Sequence, residues 1–518
     1  MAPLPKAVVR LHFLCIFFAL GSFVWGYNIG ILSSVLVHPG FLRVMGHPTP
    51  SQKGVITAIY YLGTWTSYIF VSHPLSDRLG RRYAALVGIV VVAVGTAFEA
   101  GARNYAMMII GRIISGLGIG IVSTSVPLYQ SEVAPAGKRG KYVVLNHVGF
   151  VAGLAAGFWV GYAMTFSQNQ SNSWRFSLSI NLIPSLIFGI GLPFLPESPR
   201  WLTEHNHHPE ALRSLYWLRE EIYTNEQIHH ELSRIRQDVR SRASSSCWTM
   251  LFTDRSLFNR LWRAALLQFM AQMSGAAAMK YYLPTLLEKV GLSNRIALLA
   301  GGIESTLKIA MTIIETLLID RLGRRITLVS GTLAMGIALL INGILGNIIP
   351  PNSTNHAAAG DITSVIFIFI YALGYSMSFG PSAWVYGSEI FPTSIRARGL
   401  NISASAGSIG SIIAAQIWPV GIEAIGSDIY FFFMAINLAC IPIILLFYPE
   451  TKGLSLEDMD SLFGTPGSRR EEAEGEGEGE EDQGQYPSSI YGTFRYNVRT
   501  GGNGIDERGV PKLAVPGR

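Results

Sequence analysis

Charge is scarce in this chain. Asp, Glu, Lys and Arg make up 14% of its 518 residues, where a soluble domain carries about 25%. A chain this poor in charge and 49% hydrophobic reads as a polytopic membrane protein. Cysteine is scarcer still. Cys15, Cys247 and Cys440 lie far apart, two of them in apolar stretches, so no disulfide framework or metal spacing emerges. There is no G-x-x-x-x-G-K-[ST] loop, which argues against direct drive by ATP. There is also no G-x-S-x-G, no H-E-x-x-H and no paired Cys-His site. An enzyme is therefore not expected, nor a cofactor, nor a bound metal. Formal net charge is +6, yet the positive charges fall in short connections. That argues against nucleic acid as a partner. No cleavable signal stands out; the first apolar stretch is long enough to span and is expected to stay.

What the chain has is glycine, with 54 residues, and long apolar runs. Twelve candidate spans approach the ~20 residues a bilayer needs. They cover 11–36, 54–74, 83–101, 106–131, 141–164 and 175–196, then 259–284, 296–319, 326–348, 361–386, 399–421 and 428–448. Gly111, Gly116, Gly118 and Gly120 share one span, where small residues let helices approach closely.

The hexapeptide DRLGRR occurs at Asp77–Arg82 and again at Asp320–Arg325. Each copy lies between two apolar runs. Three arginines on a short connection are very unfavourable inside a bilayer, so both boxes belong at a membrane face. The repeat continues. Glu132 precedes Arg139 by seven residues and Glu389 precedes Arg396 by seven; Pro196-Glu197-Ser198 is echoed by Pro449-Glu450-Thr451. The offsets are 243, 257 and 253 residues, which describes one duplication. Two pseudo-symmetric halves of apolar segments are the sign of a secondary transporter.

Short connections on the box side hold eleven Lys and Arg, against five (Arg43, Lys53, Arg103, Lys289 and Arg295) on the other side. The box side, with both termini, is therefore expected to be cytoplasmic. Sequons at Asn169 and Asn352 fall in exterior loops and are candidate glycosylation sites. The organisation expected is a cytoplasmic N-terminus (1–10), a six-helix bundle (11–196), a cytoplasmic helical linker (197–258), a second six-helix bundle (259–450) and a cytoplasmic tail (451–518). In the linker, Ile228, Leu232, Ile235 and Val239 recur at helical spacing after Asn225, a candidate N-cap. Pro209 is placed to start a helix with Leu212, Leu215 and Ile222. His205, His207, His208, His229 and His230 lack ordered ligand spacing and read as solvated polar faces. From about Pro466 the tail is rich in Glu and Gly and is expected to be disordered.

At these motifs the chain resembles the sugar porter family of the major facilitator superfamily, and most nearly its fungal sugar and polyol branch. DRLGRR twice, SEVAPAGKRG, PESPRWL, GPSAWVYGSEIFP and YPETKGLSLEDM follow in the family's order over about residues 10–460. The resemblance implies an all-α membrane fold of twelve transmembrane helices in two six-helix bundles that rock about a central site. It implies a conformational switch of ion pairs at the cytoplasmic face. Here those residues are Asp77, Arg78, Arg81, Arg82, Arg112, Glu132, Arg139, Glu197, Asp320, Arg321, Arg324, Arg325, Glu389, Arg396 and Glu450. Charges at helix ends that exchange partners form a two-state element; static anchoring is the competing account.

The resemblance also implies a cage of amides and aromatics, which match vicinal hydroxyls and sugar rings. The matching is mixed. Gln272 fits the second Gln of a span-seven pair, with Ala271 in place of the first and Ala277 in place of an Asn. Tyr281, Tyr282 and Trp384 match. His147 stands where the family has Gln, Lys308 where it has Asn, and Gly407-Ser408 where it has a polar-Trp pair. Packing is the competing account for Gln272, Trp384 and His147. Lys308 shares a helical face with Glu304 and Glu315. Either an internal ion pair or a cationic cavity follows, and Lys280 would add to the latter. Asn28, also a candidate substrate contact, stands where many proton symporters of the family have Asp. An amide cannot titrate, so Arg112 is expected to lack its acidic partner and facilitated diffusion is favoured over symport. Glu304, Glu315 and His147 are the alternative proton carriers.

The expected function is secondary transport of a sugar or polyol. A quinate-like polyhydroxy acid or a secondary metabolite is the alternative cargo, and a non-transporting sensor the alternative class. The partners are a small molecule and the bilayer. The protein is expected to be a monomer in the plasma membrane.

Overall fold

The computed structural model describes residues 6–135, 139–167, 172–243, 249–289, 291–348, 357–392, 395–452 and Phe463. The sequons at Asn169 and Asn352 and the acidic tail lie outside them. In lipid a backbone must satisfy its own polar groups, so the apolar runs become helices. In the first half these are α1 Lys6–Val35, α2 Pro50–Leu79, α3 Arg81–Gly101, α4 Tyr105–Val133, α5 Arg139–Met164 and α6 Ser173–Phe194. Three short helices follow: α7 Pro199–Glu204, α8 His208–Arg219 and α9 Asn225–Ala243. The second half comprises α10 Arg255–Ala271, α11 Ala277–Lys289, α12 Asn294–Leu322, α13 Arg324–Ile348, α14 Ala357–Met377, α15 Phe379–Ile390, α16 Arg396–Ala424 and α17 Ile429–Phe447.

Among the described residues, eleven helices are long and apolar enough to cross a membrane. The seventh expected span is the exception because it is broken. A π-helical turn at Gln272–Ala276 joins α10 to α11, and Gly275 there has φ 105° and ψ 5°. Large apolar side chains such as Phe13, Phe70, Ile110 and Ile187 face outward, as lipid-facing surfaces require.

The sequence duplication becomes a duplicated packing. In the first half α1 packs on α5, α2 on α4, α3 on α4 and α3 on α6. The equivalents in the second half are α10 on α16, α12 on α14, α13 on α14 and α13 on α17. The halves meet through α2 against α16 and α5 against α12, two contacts that a two-fold exchange of halves interconverts.

The linker helices form their own small core of Leu202, Ala211, Leu215, Ile228 and Leu232. Two sequence details need correction. The cap of α9 is Thr224, not Asn225: Thr224 and Gln227 exchange backbone-to-side-chain bonds at 3.0 and 3.4 Å, a capping box. Ile222 lies beyond α8 and is 40% exposed.

The break at Gly275 yields a stability test. A positive φ costs an L-residue about 1–2 kcal/mol, and a Cβ here would stand 3.3 Å from the Tyr371 hydroxyl. Gly275→Ala is expected to lower the thermal unfolding temperature in detergent. An unchanged or raised temperature would contradict the strain argument.

Candidate functional site

The halves enclose a central cavity of about 940 Å³, including the solvent space at its mouth. Trp25, Phe150, Tyr375 and Trp384 supply aromatic walls; Gln268, Gln272, His147, Ser408, Lys280 and Lys308 supply polar groups. Of the expected ligand contacts, His147, Gln272, Lys308 and Trp384 line this cavity, as do Gly407 and Ser408. Gln272 gets there through the broken helix, since it opens the π turn.

Tyr281, Tyr282 and Asn28 do not line it. The two tyrosines instead close its end away from the boxes. The Tyr282 hydroxyl pairs with Thr57 Oγ1 at 2.7 Å and donates to the Ala415 carbonyl at 3.1 Å. Tyr281 meets Tyr61 edge-on with ring centroids 6.1 Å apart. The Tyr282–Thr57 and Tyr281–Tyr61 contacts both join the two halves. Sequence reading also missed Gln268. It stands one helical turn before Gln272, and that i,i+4 spacing was the available signal.

Lys308 and Glu304 form a buried pair at 2.5 Å, and Ser305 Oγ donates to the other Glu304 oxygen at 3.2 Å. The pair keeps Lys308 on the cavity wall. Glu315 accepts from Ser382 at 2.7 Å and is not part of the lining. Lys280 differs from Lys308. Its ammonium lies over the rings of Tyr375 and Phe150 at 5.1 and 5.9 Å. Among the described residues no carboxylate comes within 4 Å of it. Among the described residues the cavity wall thus holds one lysine paired to a carboxylate and one with none within 4 Å.

Arg112 is a correction. It is not at the box face but two turns into α4, wholly buried. Nor does it lack an acid: Nη1 lies 3.6 Å from Glu99 Oε1 on α3 and donates to Asn28 Oδ1 at 2.6 Å. Glu99 is itself wholly buried.

At the box face the two halves carry the same charge node. Arg81 contacts Glu132 at 3.1 Å and donates to the Ser76 carbonyl at 3.2 Å. Arg324 contacts Glu389 at 2.6 Å and donates to the Ile319 carbonyl at 3.2 Å. Ser198 donates to Glu132 and Thr451 to Glu389. A second carboxylate in each node receives the first backbone N–H groups of a helix. Glu197 accepts from Arg82 N at 3.1 Å; Glu450 accepts from Arg324 N and Arg325 N at 2.9 and 3.0 Å. Gly80 and Gly323, at φ 91° and 92°, make room, because a Cβ on either would run into Glu197 or Glu450. The guanidinium groups of Arg82 and Arg325 donate to the Leu195 and Leu445 carbonyls. Asp77 reaches His73 at 3.2 Å and Arg81 at 3.6 Å. Arg78 and Arg321 are exposed. Arg396 donates twice to the Phe391 carbonyl, both at 3.2 Å. The side chains of Arg139 and Asp320 lie outside the described residues.

A duplicated all-helical membrane fold around one central cavity is that of a carrier of the major facilitator type. The chain belongs to the family described as sugar (and other) transporter, matched over residues 14–463. It is 31% identical to the MFS-type transporter criB of Aspergillus cristatus, covering 86% of this chain and 91% of that one. It is 29% identical to a probable quinate permease of Aspergillus niger, covering 93% and 94%. It is also 29% identical to the glucose transporter GlcP of Staphylococcus epidermidis, covering 85% and 95%. Among solved structures it shares the fold of the proton:xylose symporter XylE bound to 6-bromo-6-deoxy-D-glucose. That match has a TM-score of 0.73 at 23% identity, covering 88% of this chain and 99% of that one.

The two node carboxylates differ in a testable way. For Glu450, burial opposes charge, but the N–H groups of Arg324, Arg325, Lys452 and Thr451 outweigh it and hold the carboxyl below its usual range. Its contribution is present above the unfolded pKa and lost as pH falls through the folded one. For Glu197, burial dominates and raises the carboxyl, so its charge is unfavourable at neutral pH. Glu450→Gln is expected to cost about 1 kcal/mol at neutral pH, the scale of a charge at a helix N-terminus, and the loss should fade in acid. Glu197→Gln should be neutral or stabilising at neutral pH. Equal losses in the two variants would contradict this account, with thermal unfolding against pH as the measurement.

Proposed function

We propose that this protein is a secondary transporter of a polyhydroxylated carboxylic acid, of the quinate type, working by alternating access. The observation that carries the reading is Lys280, a cavity-wall ammonium with no carboxylate within 4 Å among the described residues. A solute carboxylate would complete that pair, while Gln268 and Gln272 offer donors and acceptors to hydroxyls and Trp384 offers a ring face. Relatives called probable quinate permeases support the same reading. A neutral sugar is the second reading, favoured by the two amides and by the glucose transporter relative.

In this proposal 11–196 and 259–450 move as two bundles joined by the linker 197–258, and the box face with both termini is cytoplasmic. The cell membrane is the expected site, with the protein acting as a monomer. The two charge nodes act as the switch. The amide of Asn28 removes a proton site at that position, which by itself favours facilitated diffusion; the carboxylate missing there stands at Glu99 instead.

Binding to the purified protein tests the cargo. Quinate is expected to raise the thermal unfolding temperature. Lys280→Gln should weaken quinate at least about tenfold, since a hydrogen bond to a charged group contributes about 1.5–3 kcal/mol. A neutral polyol should bind the variant and the parent equally. Stabilisation by glucose or sorbitol but not by quinate would favour the neutral reading and overturn the acid.

A further inference from the structure

The Glu99–Arg112 pair lies outside the cavity lining, and no step of substrate binding uses it. It is nonetheless an ion pair in the membrane-spanning region with both members wholly buried. Such a pair is costly to keep, and apolar residues of similar volume are often as stable or more so. Arg112 gathers four helices of the first half. From α4 it contacts Glu99 on α3 and Asn28 on α1. It donates to the Ile56 carbonyl on α2 at 3.4 Å and lies 4.2 Å over the Tyr60 ring. Tyr60 meets Tyr61 edge-on at 5.6 Å, and Tyr61 meets Tyr281 of the second half. The Tyr281 hydroxyl also faces Arg112. A continuous set of contacts thus runs from Glu99 to the closure that joins the halves.

The pair is incompletely satisfied. Neither Glu99 oxygen has a hydrogen-bond partner of good geometry, and Arg112 Nη2 has none either. The best contact of Arg112 is to the neutral Asn28 amide, which accepts whatever the protonation state of Glu99. The groups facing Glu99 are Arg112 and Ser115 from α4, Asn28 from α1, Tyr60 from α2 and Tyr281 from α11. Arg175 of α6 turns to the adjacent Ala100 carbonyl at 2.8 Å. Among the described residues, Glu99 is the one carboxylate within 4 Å of Arg112.

We propose that Glu99 is a proton-binding site that drives the closure away from the boxes, with Arg112 as the positioning residue that transmits its state. A proton taken from water at that face converts the carboxylate to the carboxylic acid. Arg112 then loses its counter-charge, and an unpaired buried cation costs several kcal/mol. Opening the tyrosine closure admits water to the guanidinium and relieves that cost. Release of the proton to water restores the pair and favours closing. The open state therefore binds the proton more tightly, and by linkage the proton favours the open state. Closure is thereby made proton-dependent, whatever the chemistry of the cargo.

The test needs no substrate. Spin labels at Ala106→Cys on α4 and Ala424→Cys on α16, in a Cys247→Ser background, report the separation of the halves at this face. The full-length protein is held in lipid nanodiscs. The label distance is expected to lengthen as pH falls. Glu99→Gln, which mimics the protonated acid, should hold the long distance at every pH. Asn28→Asp combined with Glu99→Gln returns a carboxylate to Arg112 and should restore the response. A Glu99→Gln protein that keeps the parent response would overturn the proposal, as would a parent distance indifferent to pH. If Glu99→Gln does not fold, Glu99→Asp should shift the midpoint of the response; an unshifted midpoint would overturn the proposal equally. Failure of quinate to bind leaves all these readouts intact, so the cargo and the proton site fail separately.

Discussion

The box face of each half is organised by a glutamate oxygen that accepts from the start of a helix, and of the two only Glu450 gains from its charge. Glu197 and Glu450 each receive backbone N–H groups at the first turn of α3 and α13. Those donors have no partner inside their own helix and carry the positive end of its dipole. The carboxylate can approach only because the preceding residue is glycine with a positive φ. The next residue, Arg81 or Arg324, then turns back on a second acid, Glu132 or Glu389. Glycine, arginine and two glutamates thus fasten three elements at one point in each half. The spacing of DRLGRR follows from this geometry: Gly80 and Gly323 end one helix and open the next, and the two following arginines serve different partners.

That geometry explains why so much of the fold was legible. An exact repeat of a hexapeptide, with its acids following in the same order at similar offsets, could be read as duplication without any knowledge of contacts. Long apolar runs gave the spans because lipid leaves the backbone little else to do. The broken seventh span was harder. Hydropathy is blind to one glycine, and Gly275 sits among small apolar residues that prolong the apolar run. The cap of α9 was missed by one residue for a similar reason. Thr224 and Asn225 are both good caps, and the choice falls to Gln227, three residues after Thr224.

The site was legible where chemistry is local and obscure where it is tertiary. The Lys308–Glu304 pair follows from i,i+4 spacing. Gln272 reaches the cavity at the π turn, and Trp384 reaches it from α15, just past the break at Ser378. Tyr281 and Tyr282 carry the same residue types as a ligand cage, but their register on α11 directs them to the facing half at the closed end. Arg112 was misread because its acid comes from another helix. Glu99 is two residues from the end of an otherwise apolar span of α3, and nothing local announces which helix it will face. Only the packing of α3 on α4 reveals that the carboxylate absent at Asn28 is supplied from across the bundle.

The contrast between bonds within and between halves decides where the molecule can move. Within a half, each box node combines an ion pair, backbone donors to a second acid and a hydroxyl. Between the halves, the contacts are thinner. Thr57 meets Tyr282, Trp159 donates to Thr306 at 2.9 Å, and Gln416 donates to Ser51 at 3.2 Å. Each of these joins neutral groups and contributes about 0.5–1.5 kcal/mol net; at the box face a charged group also crosses, Arg398 Nε donating to His73 Nε2 at 3.1 Å. Breaking one of them leaves polar atoms that water can satisfy, whereas breaking a node strands a charge and a helix end. The least costly plane of separation therefore runs between the halves and through the cavity. The Arg112 cluster differs from both kinds of contact. It is charged and buried like a node, yet its tyrosines reach across the plane, so a change in its charge acts on the contacts that separate most easily.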